Sequence, residues 1–179
     1  MRSSVATLAI VSVMLAAPAR GEVVETSADG FSVRNAATIN APPATVYATL
    51  TDKVGGWWDP AHTFSHDARN LSVDAKPGGC FCERIPETGG GVEHMHVAFV
   101  EPGKRMVMTG SLGPLLYEAT NGVMDVQVKT RAGGSILTID YKVAGFANGG
   151  AEKMAPQVDE VLEAQLKRFR DYVTRLPRN

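Results

Sequence analysis

The sequence predicts an α+β fold: a curved antiparallel sheet of about six to seven strands wrapped on one long C-terminal helix. Three observations carry this. Val158, Leu162, Leu166, Phe169, Val173 and Leu176 recur at steps of three and four residues, the period of an amphipathic helix. Between residues 70 and 143 a series of short strand-like runs is each closed by turn residues. The loops between those runs are short, which favours a meander of antiparallel neighbours. A helix on one face of such a sheet makes a two-layer domain. Sheet twist curls the strands around the helix, and a single helix leaves part of the concavity open.

The elements follow in order. Arg2, the apolar run Val5 to Ala17 and the small-x-small triplet Ala17-Pro18-Ala19 read as an export signal, residues 1–19, too short to span a bilayer as a mature helix. The mature chain then starts near Arg20, and the oxidising, periplasmic side of a membrane is its expected place. Residues 20–30 form an N-terminal extension and 31–179 the domain. Phe31 to Ile39 alternates as a strand. Asn40 is a candidate cap and Pro42-Pro43 suits the first turn of a short helix that ends near Asp52. Val54-Gly55-Gly56-Trp57-Trp58-Asp59-Pro60 breaks that helix. Strands are then expected at Asn70–Asp74, Cys80–Ile85, Val92–Val100, Arg105–Gly110, Gly122–Thr130 and Ser135–Val143, followed by the helix Pro156 to Leu176.

Composition narrows the function. Lys plus Arg number 18 against 19 acidic residues, a net charge of −1, and no basic stripe exists, so nucleic acid is a poor partner. The basic residues near the C-terminus (Lys167, Arg168, Arg170, Arg175, Arg178) complement the helix dipole. No second long apolar stretch follows the leader, so no integral membrane segment is expected in the mature chain. No pattern calls for a cofactor.

Two runs hold the chemistry: Gly78-Gly79-Cys80-Phe81-Cys82-Glu83 and Glu93-His94-Met95-His96-Val97, joined by Pro86-Glu87-Thr88-Gly89-Gly90-Gly91. They should pair as a hairpin. With Ile85 opposite Val92, Glu83 faces His94 and Phe81 faces His96, and all four share one side of the sheet. Met95, Val97 and Phe99 form an apolar stripe of opposite parity, which a bulge would reconcile with the first set. Glu83 and His94 can serve as an acid/base pair, the carboxylate holding the imidazole in one tautomer, or as a structural cross-strand pair. Cys80 and Cys82 admit three readings: a local disulfide, packed thiols, or soft-metal ligands with a histidine, His94 or His96, close by. Separately, His94, His96 and Glu83, with or without a cysteine, could hold a metal from one face of the hairpin, with His66 a candidate for the missing fourth ligand. Two thiols at this spacing fall short of a closed zinc motif.

Ala41-Pro42-Pro43-Ala44-Thr45-Val46-Tyr47, Gly56-Trp57-Trp58, Pro77-Gly78-Gly79-Cys80-Phe81, Val100-Glu101-Pro102-Gly103-Lys104-Arg105 and the terminal helix together resemble the START-like helix-grip superfamily (SRPBCC), in its polyketide cyclase and heat-shock-ATPase-activator-like branch. The resemblance covers about Phe31 to Leu176. It implies a cavity between sheet and helix for an apolar or amphipathic molecule, and in some members cyclisation chemistry. It also implies that the aromatic after the double glycine points inward, which places Phe81 and Glu83 in the cavity with His94 and His96 beside them. The expected ligand contacts are therefore Trp57, Trp58, Phe81, Glu83, His94, His96, Leu115 and Tyr117. Trp57, Trp58 and the loop Leu112 to Leu116 gate the mouth, and Asp125 and Tyr141 are further polar candidates. The reading is an exported carrier of a small apolar or amphipathic molecule. The alternatives are a cyclase- or isomerase-type enzyme using His94 and Glu83, and a partner-binding module whose interior is filled.

Overall fold

The structure, a computed structural model, describes residues 19–177. The leader run Val5 to Ala17 and Arg178 lie outside the described residues. Eight strands form one antiparallel sheet: β1 Arg20–Ser27, β2 Gly30–Ile39, β3 Leu71–Val73, β4 Cys80–Ile85, β5 Gly90–Glu101, β6 Arg105–Gly110, β7 Ala119–Arg131 and β8 Gly134–Phe146. The order is β1-β2-β8-β7-β6-β5-β4-β3, so β3 to β8 run as a meander and β2 closes against β8. The residues read as an extension include an additional strand: β1 pairs with β2 from Arg20↔Ala36 to Ser27↔Gly30. β1 and β3 are the sheet's two edges, and β1 carries an irregularity between Val23 and Glu25.

Period-two patterning sets the inner face. Val33, Ala37 and Ile39 of β2, Met124, Val126 and Val128 of β7, and Leu137, Ile139 and Tyr141 of β8 are all buried. Against them lie α1 Pro43–Asp52, the single turn α2 Val54–Trp57 and the long α3 Ala155–Arg175. Pro43 opens α1, where its fixed φ and missing N–H cost nothing. The cap residue is Pro42 rather than Asn40, and no side chain caps the helix.

α3 buries Leu162, Leu166, Phe169 and Val173, the stripe its periodicity forecasts. Buried polar groups fix its position. Asn35 Nδ2 of β2 donates to Asp159 at 2.8 Å, and Gln165 Oε1 accepts from the Asp59 backbone N–H at 2.9 Å. Arg168 does more than complement the dipole: its Nε donates to the Trp57 carbonyl at 3.1 Å, tying α3 to the double-tryptophan break. These bonds tie α3 to β2 at one end and to the Trp57–Asp59 segment further along.

Candidate functional site: a cavity with a buried Glu–His pair

Between the sheet and α3 lies a mostly apolar cavity of about 360 Å³. Trp58 and Phe64 wall it from the segment after α2, Phe81 and His94 from β4 and β5, and Tyr141 from β8. Leu115 closes it from the 3-10 turn Gly113–Tyr117, and Val158, Val161 and Leu162 line the α3 side. A smaller apolar void of about 50 Å³ continues toward Met106, Met108 and Met124 and shares Trp58, Phe81 and Leu162 with the first.

The hairpin register differs from the sequence expectation. Ile85 pairs with Gly90 and Glu83 with Val92. The turn is therefore only Pro86 to Gly89, with Gly89 at φ 70°, and Gly90-Gly91 belong to β5. Gly91 stands where a Cβ would meet the Glu83 carbonyl oxygen at 2.8 Å, so the strand itself needs a glycine there. The ladder then shifts by one residue, from Cys82↔Glu93 to Phe81↔Met95. His94 is the extra residue of that bulge and turns inward beside Met95; both are buried. Past the bulge the parity is reversed, so His96 pairs with Cys80 and is exposed on the outer face. The placement of His96 in the cavity is thus corrected. A second irregularity between Val97 and Phe99 turns Phe99 out as well.

Glu83 and His94 meet on the inner face. His94 Nε2 lies 3.0 Å from Glu83 Oε2, and both side chains are almost wholly sealed from solvent. Glu83 also accepts from the Phe64 N–H at 3.1 Å and the Ser65 N–H at 2.5 Å. Burial alone would raise the Glu83 carboxyl, but the hydrogen bonds from Ser65, Phe64 and His94 hold it below the ordinary carboxylate value. Burial lowers the His94 pKa, and the neighbouring carboxylate opposes this only in part. At neutral pH the pair is an ionised Glu83 and a neutral His94. An ionised carboxylate can only accept, so Nε2 carries the proton and Nδ1 is left as an acceptor. Nδ1 is buried and has no partner. Phe64 stacks on the ring at 5.8 Å and Phe81 tilts against it at 5.1 Å.

The remaining candidates divide. Trp58 walls the cavity and spends its indole N–H on the His62 carbonyl at 3.0 Å. Trp57 is a core plug against Phe169, ring centres 5.1 Å apart, and not a gate. Leu115 is buried in the cavity wall, whereas Tyr117 is 76% exposed and meets the Phe64 ring edge-on. Asp125 points away from the cavity and pairs with Arg105 at 2.7 Å on the outer sheet face. Cys80 and Cys82 are joined as a disulfide, also facing outward, which separates them from His94 and dissolves the metal set that combined these three. Sequence reasoning missed the stretch Ala61 to Ser65: Ala61 to Phe64 line the cavity, and the Phe64 and Ser65 N–H groups grip Glu83. Its bonds to Glu83 span 18 and 19 residues and no periodic signal marks them.

Tyr141 holds the lip of the cavity. Its hydroxyl donates to the Gly110 carbonyl and accepts from the Leu112 N–H, both at 3.1 Å, and burial pushes its pKa up to about 12. Tyr141→Phe should remove both bonds, cost about 1–2 kcal/mol, and speed hydrogen exchange at the Leu112 amide. Unchanged exchange there would show that the lip is held by its apolar contacts alone.

Comparison with known proteins places this architecture. None of the curated proteins matches the chain. Among solved structures it resembles an uncharacterized protein from Rhizobium leguminosarum (TM-score 0.60, 16% identity, 89% of this chain and 100% of that one). It also resembles a conserved protein of unknown function from Enterococcus faecalis (TM-score 0.58, 14% identity, 87% and 76%). A third likeness is to DynU16, a protein in the dynemicin biosynthetic locus (TM-score 0.58, 21% identity, 80% of this chain and 47% of that one). At these identities the likeness is one of fold. The family model for polyketide cyclase / dehydrase and lipid transport matches residues 30–174, from β2 nearly to the end of α3. The match spans the sheet from β2 onward and nearly all of the helix it encloses, and the chain therefore belongs to the polyketide cyclase/dehydrase and lipid transport family.

Proposed function

We propose that the chain is an exported carrier that takes one small, largely apolar molecule, lipid- or polyketide-like, into the cavity between the sheet and α3. The observation that carries this reading is the cavity itself: about 360 Å³ of mostly apolar space, walled in part by a buried histidine with one unpartnered nitrogen. Its size falls within the range of roughly 300–1,000 Å³ usual for small-molecule sites. It also speaks against the filled interior of a purely structural module. The ligand presents one hydrogen-bond donor to His94 Nδ1, reached by displacing the half-buried Phe64 ring. Export is supported by Arg2, the run Val5 to Ala17 and Ala17-Pro18-Ala19. No helix among the described residues is long and apolar enough to cross a membrane.

Titration with an apolar fluorophore that brightens out of water tests the reading. Saturable binding at one site is expected, with loss of binding in Val161→Trp, whose indole would occupy the cavity from α3. Binding unaffected by that substitution would place the probe elsewhere. The pH dependence is set by His94. Its folded pKa lies below the ordinary 6.5, so the acceptor nitrogen is free throughout the neutral range and is lost only on further acidification. Affinity should be flat at neutral pH and fall in acid. Stability follows the same sign. Its His94 contribution is full above 6.5, where the unfolded histidine is also neutral, and is lost as pH falls toward the folded value. His94→Gln should remove this acid limb from both curves.

The Glu83–His94 pair favours a second reading, in which His94 Nδ1 is a general base that removes a proton beside a carbonyl and Glu83 fixes its tautomer. His94→Ala separates the two. A carrier loses affinity in proportion to one hydrogen bond, while an enzyme loses turnover and keeps most of its binding.

A further inference from the structure

The outer face of the β4–β5 pair carries a second cluster that owes nothing to the cavity. Cys80 and Cys82 are half-buried, two residues apart on β4, with Cα atoms 5.4 Å apart. Cys82 pairs with Glu93 and Cys80 with His96 across the ladder. The two sulfurs and a Glu93 carboxylate oxygen all lie within 4.8 Å of one another, the one such grouping of three candidate ligands among the described residues. His96 Nδ1 stands 3.5 Å from Glu93 Oε1, and both side chains are about half exposed. Glu93 and His96 are three residues apart, a spacing that puts strand side chains on opposite faces. The bulge at His94 brings them to the same one.

A disulfide that spans one intervening residue constrains the unfolded chain very little, and β4 is already fixed by ladders to β3 and β5. Stabilising the fold is therefore a weak account of why two cysteines stand here. Two thiolates and a carboxylate gathered on one face, with the His96 imidazole beside that carboxylate, are instead the donors that a soft or borderline divalent cation takes in tetrahedral geometry. Two sulfurs on such a cation stand about 3.8 Å apart, within reach of side chains with this Cα separation.

We propose that Cys80, Cys82, Glu93 and His96 form a reduction-gated site for a divalent cation of the zinc class. Opening it takes two electrons. A dithiol reductant gives up two electrons and two protons and closes to its own disulfide, while the Cys80–Cys82 bond breaks and each Sγ takes one proton. The cation then releases those two protons to solvent as it binds both thiolates.

Cobalt(II) alone is the probe, because its thiolate charge-transfer absorption reports sulfur ligation. The full chain is reduced under argon with a water-soluble phosphine, which takes up a water oxygen to become its oxide as the two sulfurs gain protons. The reduced chain is expected to bind one cobalt with charge-transfer absorption, and the oxidised chain none. Excess zinc should bleach the band. Cys82→Ser should abolish it, and Glu93→Ala and His96→Ala should each weaken binding at least ~10-fold with unchanged far-ultraviolet circular dichroism. The proposal is overturned by a reduced chain that shows no band or unfolds, by an oxidised chain that binds as tightly, or by wild-type affinity in both Glu93→Ala and His96→Ala.

Discussion

Glu83→Ala should lower the stability of this chain by about 3–5 kcal/mol, the usual cost of removing one partner from a buried, charge-assisted network. The side chain is fully enclosed and serves three donors at once: the Phe64 N–H, the Ser65 N–H and His94 Nε2. Each loses its acceptor, His94 Nε2 in the buried interior and the Phe64 and Ser65 N–H groups in a part-buried setting. Urea unfolding should show the loss as a lower midpoint at similar slope. Hydrogen exchange should show it locally, with the Phe64 and Ser65 amides opening before the sheet does. Glu83→Gln keeps one acceptor oxygen but presents an NH₂ to a donor, so it should recover only part of the difference. A cost below about 1 kcal/mol for Glu83→Ala would mean that Phe64 and Ser65 are held by something other than this carboxylate.

Phe169→Ala should cost a similar amount, about 3–5 kcal/mol for a large aromatic deleted from a packed interior. Phe169 is wholly buried on α3 and meets the Trp57 ring edge-on at 5.1 Å. Trp57 in turn lies 5.4 Å from Trp58, the cavity wall. Deletion leaves a hole that the neighbouring helix turns cannot close, since Arg168 and Gln165 pin α3 to the backbone of Trp57 and Asp59. For a domain of this size the melting temperature should fall by roughly 6–20 °C, with a red shift in tryptophan emission. A drop of only a degree or two would show that α3 can settle onto the sheet despite its bonds to Trp57 and Asp59.

The fold was largely legible because its signals are local. The three- and four-residue steps of α3 and the alternation in β2, β7 and β8 follow directly from which side must leave water. β1 was not legible: its residues are nearly all exposed, with no apolar face to betray an edge strand. The site was legible in its central pair and illegible in its register. Placing Ile85 opposite Val92 instead of Gly90 is a slip of two residues, which leaves every side chain on its proper face, so Glu83 and His94 still came together. The bulge at His94 is a shift of one, which reverses the face of the residues that follow it as far as Val97, where a second irregularity begins. That is why Met95 and Val97 are buried and His96 is not. Residues 61–65 could not be assigned because their hold on Glu83 is long-range and made through backbone N–H groups, which any residue but proline supplies.

The outermost strands shape how copies of the chain behave when crowded. A straight row of unpaired N–H and C=O groups invites another molecule's strand and, by repetition, a fibre. One rim here is only three residues long, and the other is kinked near Val24, where two neighbouring valines would otherwise make an adhesive margin. Straightening that kink, by deleting Val24, should make this margin more receptive to a second copy, read as an earlier onset of light scattering on concentration.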